Sequence, residues 1–396
     1  MARPRAHPGS RWLLPLPLLI GVGIALVAQP SARGAEPAAA APRTEPMPAA
    51  GAAQRYAPLE RAETLYSAAL LAPTARNRQL LQQVIQLSGD QLRRAPLDDR
   101  AYALRARAQA RLGNPLAAFE DAARALRLNP RNPVAHLARG IAKRNLGDAA
   151  GATLEYDQAL AIDPGYVLVL VNRSNTRLDQ QDSAGALADA NRAVELSSIA
   201  DPVARVIALS SRAMIRLETG DAPGALGDLD AALALRTDVA QTFKDRGGVL
   251  MALSRPRQAL EAYDRAIRLD PDFEDAYIDR GNIRGELGDQ QGAIRDYNRA
   301  IALNPRSAVG FNNRCFTLYQ LGQTKQALPD CEKAIELDPL AGYIHDSRGQ
   351  LRIAMGDPEG GCQDLHIAVR LGDQDASRFL ASANGAVCRS RPVPGR

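Results

Sequence analysis

Small and apolar positions recur along this chain with a period of 34 residues. The segment AYIDRGNIRGELGDQQGAIRDYNRAIALNP, Ala276 to Pro305, returns in outline, and placing Gly288 at position 15 aligns eight copies. They begin at Asp99, Pro133, Val167, Val206, Ala240, Glu274, Ala308 and Gly342. Position 27 is Ala in all eight copies (Ala125, Ala159, Ala193, Ala232, Ala266, Ala300, Ala334, Ala368), and position 20 is Ala in seven, with Gly361 in the last. Position 32 is Pro in five, at Pro130, Pro164, Pro271, Pro305 and Pro339. The pattern predicts two antiparallel helices per copy. Gly at 15 breaks the hairpin, and Pro near 17 or 18 (Pro115, Pro223, Pro256, Pro358) suits the first turn of the second helix. Pro at 32 stops that helix, and the alanines mark a seam where two helices approach closely.

The repeats are expected at residues 99–132, 133–166, 167–200, 206–239, 240–273, 274–307, 308–341 and 342–375. Residues 59–98 lack the seam Ala and turn Gly and are expected to form a degenerate capping hairpin, with a closing helix and tail over 376–396. Five extra residues, Asp201 to Arg205, carry an N-cap and first-turn signal in Asp201-Pro202. The first helix of repeat four is therefore expected to start early and run long, with a possible bend of the stack there.

In these motifs residues 99–375 resemble the tetratricopeptide repeat family. The resemblance implies an all-α, right-handed superhelical solenoid that presents a surface and does no chemistry of its own. In that family positions 2, 5, 9, 12 and 13 of the first helix line the concave face. Here the candidate groove residues are Arg100, Arg107, Arg111 and Arg144 at one end and Asn282, Asn312, Phe316, Tyr319 and Tyr343 toward the other. Members that clamp a terminal carboxylate use Lys and Asn. Asn282 and Asn313 match two of those places, but Ile278, Tyr343 and Ser347 stand where the clamp's basic and polar residues belong, so that activity is not expected.

One departure is consistent. Position 7, usually Leu in the family, is Arg in every copy (Arg105, Arg139, Arg173, Arg212, Arg246, Arg280, Arg314, Arg348). Position 23 is acidic in seven copies (Asp121, Glu155, Asp189, Asp228, Asp296, Asp330, Asp364), with Ala262 the exception. Sixteen residues apart across a hairpin, the two stand at equal height, so structural ion pairs are expected, Arg280–Asp296, Arg314–Asp330 and Arg348–Asp364 among them. The alternative is an anion-binding ladder.

Cys315 and Cys331 repeat that spacing one residue on, at positions 8 and 24. Position 8 is Gly in four other copies (Gly140, Gly247, Gly281, Gly349), which suggests a close backbone approach. A Cys315–Cys331 disulfide is expected, and Cys362–Cys388 by elimination. Four buried apolar thiols are the alternative.

Composition and charge change this picture in one respect. Arg3, Arg5 and Arg11 precede the apolar run Leu13 to Ala28 and a small-residue stretch, so residues 1–35 read as a secretory signal peptide. Sixteen residues with Pro15 and Pro17 fall short of the roughly twenty needed to span a bilayer, which leaves a retained anchor as the rival reading. Residues 36–58, rich in Ala and Pro, read as a disordered linker. The formal charge of +5 depends on Arg3, Arg5, Arg11 and Arg33, with no acid before residue 36, so the remaining chain is close to neutral and nucleic acid is not an expected partner.

Catalytic signatures are missing. His136 and His345 both occupy position 4, and neither they nor His366 stand at metal-ligand spacing. No GxSxG, HExxH or phosphate-cradling Gly-rich loop occurs. The sequence therefore points to a non-catalytic scaffold without cofactor or metal. It would bind a protein or extended peptide on its concave groove in a bacterial periplasm or outside the cell, with no membrane span after cleavage. The alternative is a structural subunit of an envelope assembly using its ends or convex surface.

Overall fold

The computed structural model describes residues 49–199 and 201–389. The expected signal peptide, linker residues 36–48 and tail residues 390–396 lie outside the described residues. Regular structure among the described residues is entirely helical. A first hairpin, α1 (Ala49–Ala69) and α2 (Thr74–Arg94), precedes α3 (Asp99–Arg111), α4 (Pro115–Leu128), α5 (Pro133–Asn145), α6 (Ala149–Ile162), α7 (Val167–Asp179), α8 (Ser183–Leu196), α9 (Pro202–Glu218) and α10 (Ala222–Leu235). Then follow α11 (Ala240–Ala252), α12 (Pro256–Leu269), α13 (Glu274–Glu286), α14 (Gln290–Leu303), α15 (Ala308–Gln320), α16 (Thr324–Leu337), α17 (Gly342–Ala354) and α18 (Pro358–Arg370). The short helices α19 (Gln374–Ala381) and α20 (Ala386–Arg389) close the chain.

Each repeat's first helix begins at the first residue of its 34-residue copy except in repeat four. There α9 starts at Pro202 and runs 17 residues, with the Asp201 side chain accepting from the Ala204 amide. The described chain divides into two compact units, an N-terminal one ending at Arg236 and a C-terminal one beginning at Thr237. That division falls a repeat later than the insertion where the sequence suggested a bend. Within each unit the first helices of successive repeats touch, α3 with α5 and α7 with α9 in one, α13 with α15 and α15 with α17 in the other. First helices therefore line one face of each unit's all-α solenoid.

The seam is built on side-chain size. Every position-27 Ala and every position-20 Ala is fully buried, which lets paired helices approach with nothing larger than a methyl at those two positions. At position 15 all eight turns adopt positive φ, in Gly113, Gly147, Gly220, Gly288, Gly322 and Gly356, but also in Gln181 (65°) and Ser254 (58°). Gly occupies this conformation without a Cβ penalty, and the two side-chain-bearing residues hold it under strain.

Two expectations need correction. The linker expected over 36–58 gives way to helix at Ala49, because Ala is the strongest helix former and Leu59, Ala62, Tyr66 and Ala69 bury the end of α1 in the first hairpin's core. Gly at position 8 does not in general mark a close backbone approach. A Cβ at Gly140, Gly247 or Gly281 would meet the ring of Tyr156, Tyr263 or Tyr297 at 2.4–2.7 Å, and each tyrosine stands at position 24. Only Gly349 comes up against backbone, with the Gly361 carbonyl 2.9 Å from that Cβ. Positions 8 and 24 form a complementary pair, Gly against Tyr in three repeats and Ala106 against Ala122 in another.

Candidate functional site

The position-7 arginines come first because they are the most regular chemistry in the chain. Arg105, Arg173, Arg212, Arg280, Arg314 and Arg348 each donate from Nε and Nη2 to both oxygens of the position-23 carboxylate, at 2.6–3.0 Å. Arg139 makes one such bond, Nη2 to Glu155 at 2.8 Å. The carboxylates are nearly closed off from solvent, with 2–10% of each side chain exposed.

Two further contacts were not read from the sequence. A second cation one helical turn on, at position 11, reaches the same carboxylate from Lys143, Arg177, Arg216, Arg284 or Arg352 at 2.8–3.0 Å. The third guanidinium nitrogen then bonds backward to position 25 of the preceding repeat. Arg173 meets Asp157 at 2.6 Å, Arg212 Asn191 at 3.2 Å, Arg280 Asp264 at 2.7 Å and Arg314 Asn298 at 2.7 Å. Each such arginine joins its own two helices to the repeat before it. Its planar fork is spent on these contacts.

Repeat two carries the densest of these networks. Burial works against ionisation of Glu155, but hydrogen bonds from His136, Arg139 and Lys143 outweigh it and hold the carboxyl at about 2. His136 also bridges to the Pro130 carbonyl at 3.1 Å, and His345 makes the equivalent contact to the Pro339 carbonyl at 3.0 Å. Position-4 histidines are thus polar ties between a turn and a helix. One residue along the seam, Cys315 and Cys331 are bonded at a Cα separation of 5.5 Å, and Cys362 to Cys388 at 5.4 Å. The second bond ties α20 to α18.

The inner faces differ from this closed seam. In the N-terminal unit Arg100 is exposed and meets Glu63 at 3.1 Å, Arg144 meets Asp179 at 2.7 Å, and Arg111 is exposed. Arg107 is buried, 9% exposed, with its guanidinium carbon 4.1 Å from the centre of the Tyr66 ring. Burial opposes its charge, while Tyr66, Tyr166 and Glu63 favour it and raise the pKa overall. Tyr66 belongs to the first hairpin, which no repeat alignment could register.

In the C-terminal unit Asn282 Oδ1 accepts from the Tyr297 hydroxyl at 2.8 Å and from Asn313 Nδ2 at 2.9 Å, so its own amide N–H groups are turned away from these partners. Asn312 Nδ2 donates to Asn313 Oδ1 at 3.3 Å, and Asn312 Oδ1 is buried without a donor. Phe316 and Tyr319 stand with ring centroids 6.2 Å apart, and Tyr319 also packs on the Cys315 cluster. Tyr343 is 40% exposed, its hydroxyl pushed up to about 12 by burial and Asp338.

Beside them is a cluster the sequence reading missed, Lys244, Asp245 and Asp279. Lys244 Nζ lies 3.8 Å from Asp279 Oδ2, too far for a hydrogen bond, and that oxygen has no other donor. Burial, then the charges of Asp275 and Asp245, push Asp279 up to about 6 against the pull of Lys244 and Tyr263. Asp346 is likewise pushed up to about 6, by burial first and then Asp373 and Asp375.

Among the described residues no group of His, Cys, Asp and Glu could hold a metal ion, and no helix is long and apolar enough to cross a membrane.

The tetratricopeptide repeat family profiles match residues 103–167, 245–308 and 308–339. No curated protein matches the chain in sequence. Among solved structures, the Cut9–Hcn1 hetero-tetramer of the APC/C is similar at 14% identity and a TM-score of 0.60, over 76% of this chain and 56% of that one. The chain thus spans little more than half of that relative's length. A tetratricopeptide repeat protein from Parabacteroides merdae is similar at 18% identity and a TM-score of 0.49, over 62% of this chain and 96% of that one. YrrB, described as a TPR protein with an unusual peptide-binding site, is similar at 22% identity and a TM-score of 0.36, over 48% and 95%. The family match, the 34-residue register and the paired-helix fold agree, and the matched stretches, residues 103–167 and 245–339, are tetratricopeptide repeats.

Proposed function

We propose that this chain is a non-catalytic interaction scaffold, exported to the bacterial envelope, that holds an extended segment of a partner protein against the inner faces of its repeats. Tetratricopeptide repeats as a family support the interaction role. The observation that carries the inner-face reading is Asn282. Its oxygen is consumed by Tyr297 and Asn313, which fixes the amide plane and leaves the nitrogen as a positioned donor. Such a donor suits the carbonyl of an extended backbone, with Phe316 and Tyr343 nearby in sequence register for apolar contact. Export is supported by the leader pattern and by two bonded cysteine pairs, which persist in an oxidising compartment.

The test is site-specific photocrosslinking in native cells, with a photoreactive amino acid replacing Phe316 on the inner face or Glu336 on an exposed face of α16. Adducts from position 316 and none from 336 are expected. The reverse pattern would point to assembly through the outer surface. Intact-mass analysis of the same purified protein is expected to show a chain beginning between about Gln29 and Glu36, as a cleaved leader requires, and retention of Met1 would contradict export with cleavage.

A further inference from the structure

We propose that Arg107 is the receptor for a side-chain carboxylate of an acidic, extended partner segment bound on the inner face of the N-terminal unit. The inference rests on the groove reading above and adds the chemistry of the ligand.

Among the described residues Arg107 is the one buried arginine. Seven of the eight position-7 arginines, all but Arg246, keep 14–26% of their side chains exposed, and each of these seven has a carboxylate within 3.0 Å. Arg107 is buried more deeply and, among the described residues, has none within 4.0 Å. Its Nε lacks any acceptor. Glu63, the acid whose field reaches it, is engaged by Arg100. A guanidinium cannot shed its proton to relieve burial, and a buried charge without an opposite charge is costly. The Tyr66 ring and hydroxyl offset part of that cost, but they leave Nε without an acceptor.

The surroundings select an anion, and they select several anions over one. Arg111 follows Arg107 by four residues on α3, one turn and about 6 Å along the axis, and is exposed. Alternate side chains of an extended strand repeat at about 6.8 Å. A segment with acids at alternate positions therefore places one carboxylate at Arg107 and the next near Arg111. A terminal Asp or Glu also brings two carboxylates, and peptides with blocked and with free C termini tell the two sources apart.

The test is an array of randomised octapeptides, acetylated and amidated, beside a set with free C termini, probed with the full chain at low salt. Enrichment of Asp and Glu by threefold or more among bound amidated peptides is expected. The best acidic peptide is expected to lose at least tenfold in affinity with Arg107→Met, which keeps the stem over Tyr66. It is expected to lose two- to threefold with Arg111→Met and to keep most of its affinity with Arg107→Lys. Circular dichroism establishes that each variant is folded. If Arg107→Met does not fold, wild-type preference for a Glu peptide over its Gln counterpart decides the matter. Bound peptides without acidic enrichment, equal binding of the Glu and Gln forms, unchanged binding in folded Arg107→Met, or enrichment confined to free C termini would each overturn the proposal while leaving the groove intact. Failure to retain any peptide would overturn the groove reading as well.

Discussion

The seam between paired helices and the inner faces of the two units are built from the same residue types and use them in opposite ways. Along the seam Asp296, 3% exposed, receives three hydrogen bonds from two arginines, and Arg280 has carboxylates on both sides. On the inner faces Arg107 has no carboxylate in contact, Asp279 Oδ2 has no donor, and Asn312 Oδ1 has none. A closed network resists competition from a ligand. An open one leaves polar groups without a partner among the described residues. On the proposed reading, the difference separates the residues that hold the repeats together from those that meet a partner.

The largest effect is expected from opening the seam. Asp296→Ala leaves two arginines facing each other without their shared acid, and should cost about 3–5 kcal/mol in denaturant unfolding. Arg280→Leu is milder, because Arg284 still bonds Asp296, and a well-packed hydrophobe can replace a buried ion pair at little cost.

The disulfide offers a sharper test of the same seam. Replacing Cys315 and Cys331 together by Ala should cost about 3 kcal/mol in the chain-entropy model for a loop of about this length. Combining Cys315→Gly with Cys331→Tyr, which copies Gly281 and Tyr297 of the preceding repeat, should recover part of that loss, about 1–2 kcal/mol of buried aromatic surface. No recovery would show that positions 8 and 24 are not one interchangeable pair.

Acid distinguishes the two regions by sign. Glu155 is held at about 2 from a reference of 4.5. Its contribution is complete above the reference value and is lost as pH falls from about 4.5 through 2, at most about 3 kcal/mol. Asp279 is raised from 3.8 to about 6, so its ionisation weakens folding as pH rises from about 4 through 6. Asp279→Asn should therefore stabilise the protein by about 1–3 kcal/mol at pH 8 and do little at pH 4. The smallest effect expected is at the turns, where Gln181→Gly or Ser254→Gly should gain about 0.5–1 kcal/mol by relieving positive φ.

What could be read from the sequence was whatever repeats in a fixed column. Ala at 20 and 27, the turn at 15, and the Arg and acid at 7 and 23 recur eight or nearly eight times, and each corresponds to a single physical demand. The second cation at 11 was missed because Lys143, Arg177, Arg216, Arg284 and Arg352 share their column with Gln109, Leu250 and Leu318. The Gly–Tyr pairs were misread because small residues at position 8 are explained equally by a near backbone and by a large ring opposite, and only position 24 tells them apart. Tyr66, Lys244, Asp245 and Asp279 are individual residues in variable columns or outside the repeats. Periodicity carries no signal for groups that differ from one repeat to the next, and those are the groups that distinguish the inner faces.

The most direct test is to take one array-selected peptide shown to form an adduct with a photoreactive residue at position 316 and compare its affinity, uncrosslinked, for wild-type, Asn282→Ala and Arg280→Leu chains in the same buffer. Asn282→Ala is expected to weaken binding about tenfold at an unchanged Tm, and Arg280→Leu to shift Tm while leaving the affinity within twofold. Loss of affinity in folded Arg280→Leu with wild-type binding in Asn282→Ala would contradict the division between a closed structural seam and an open binding face.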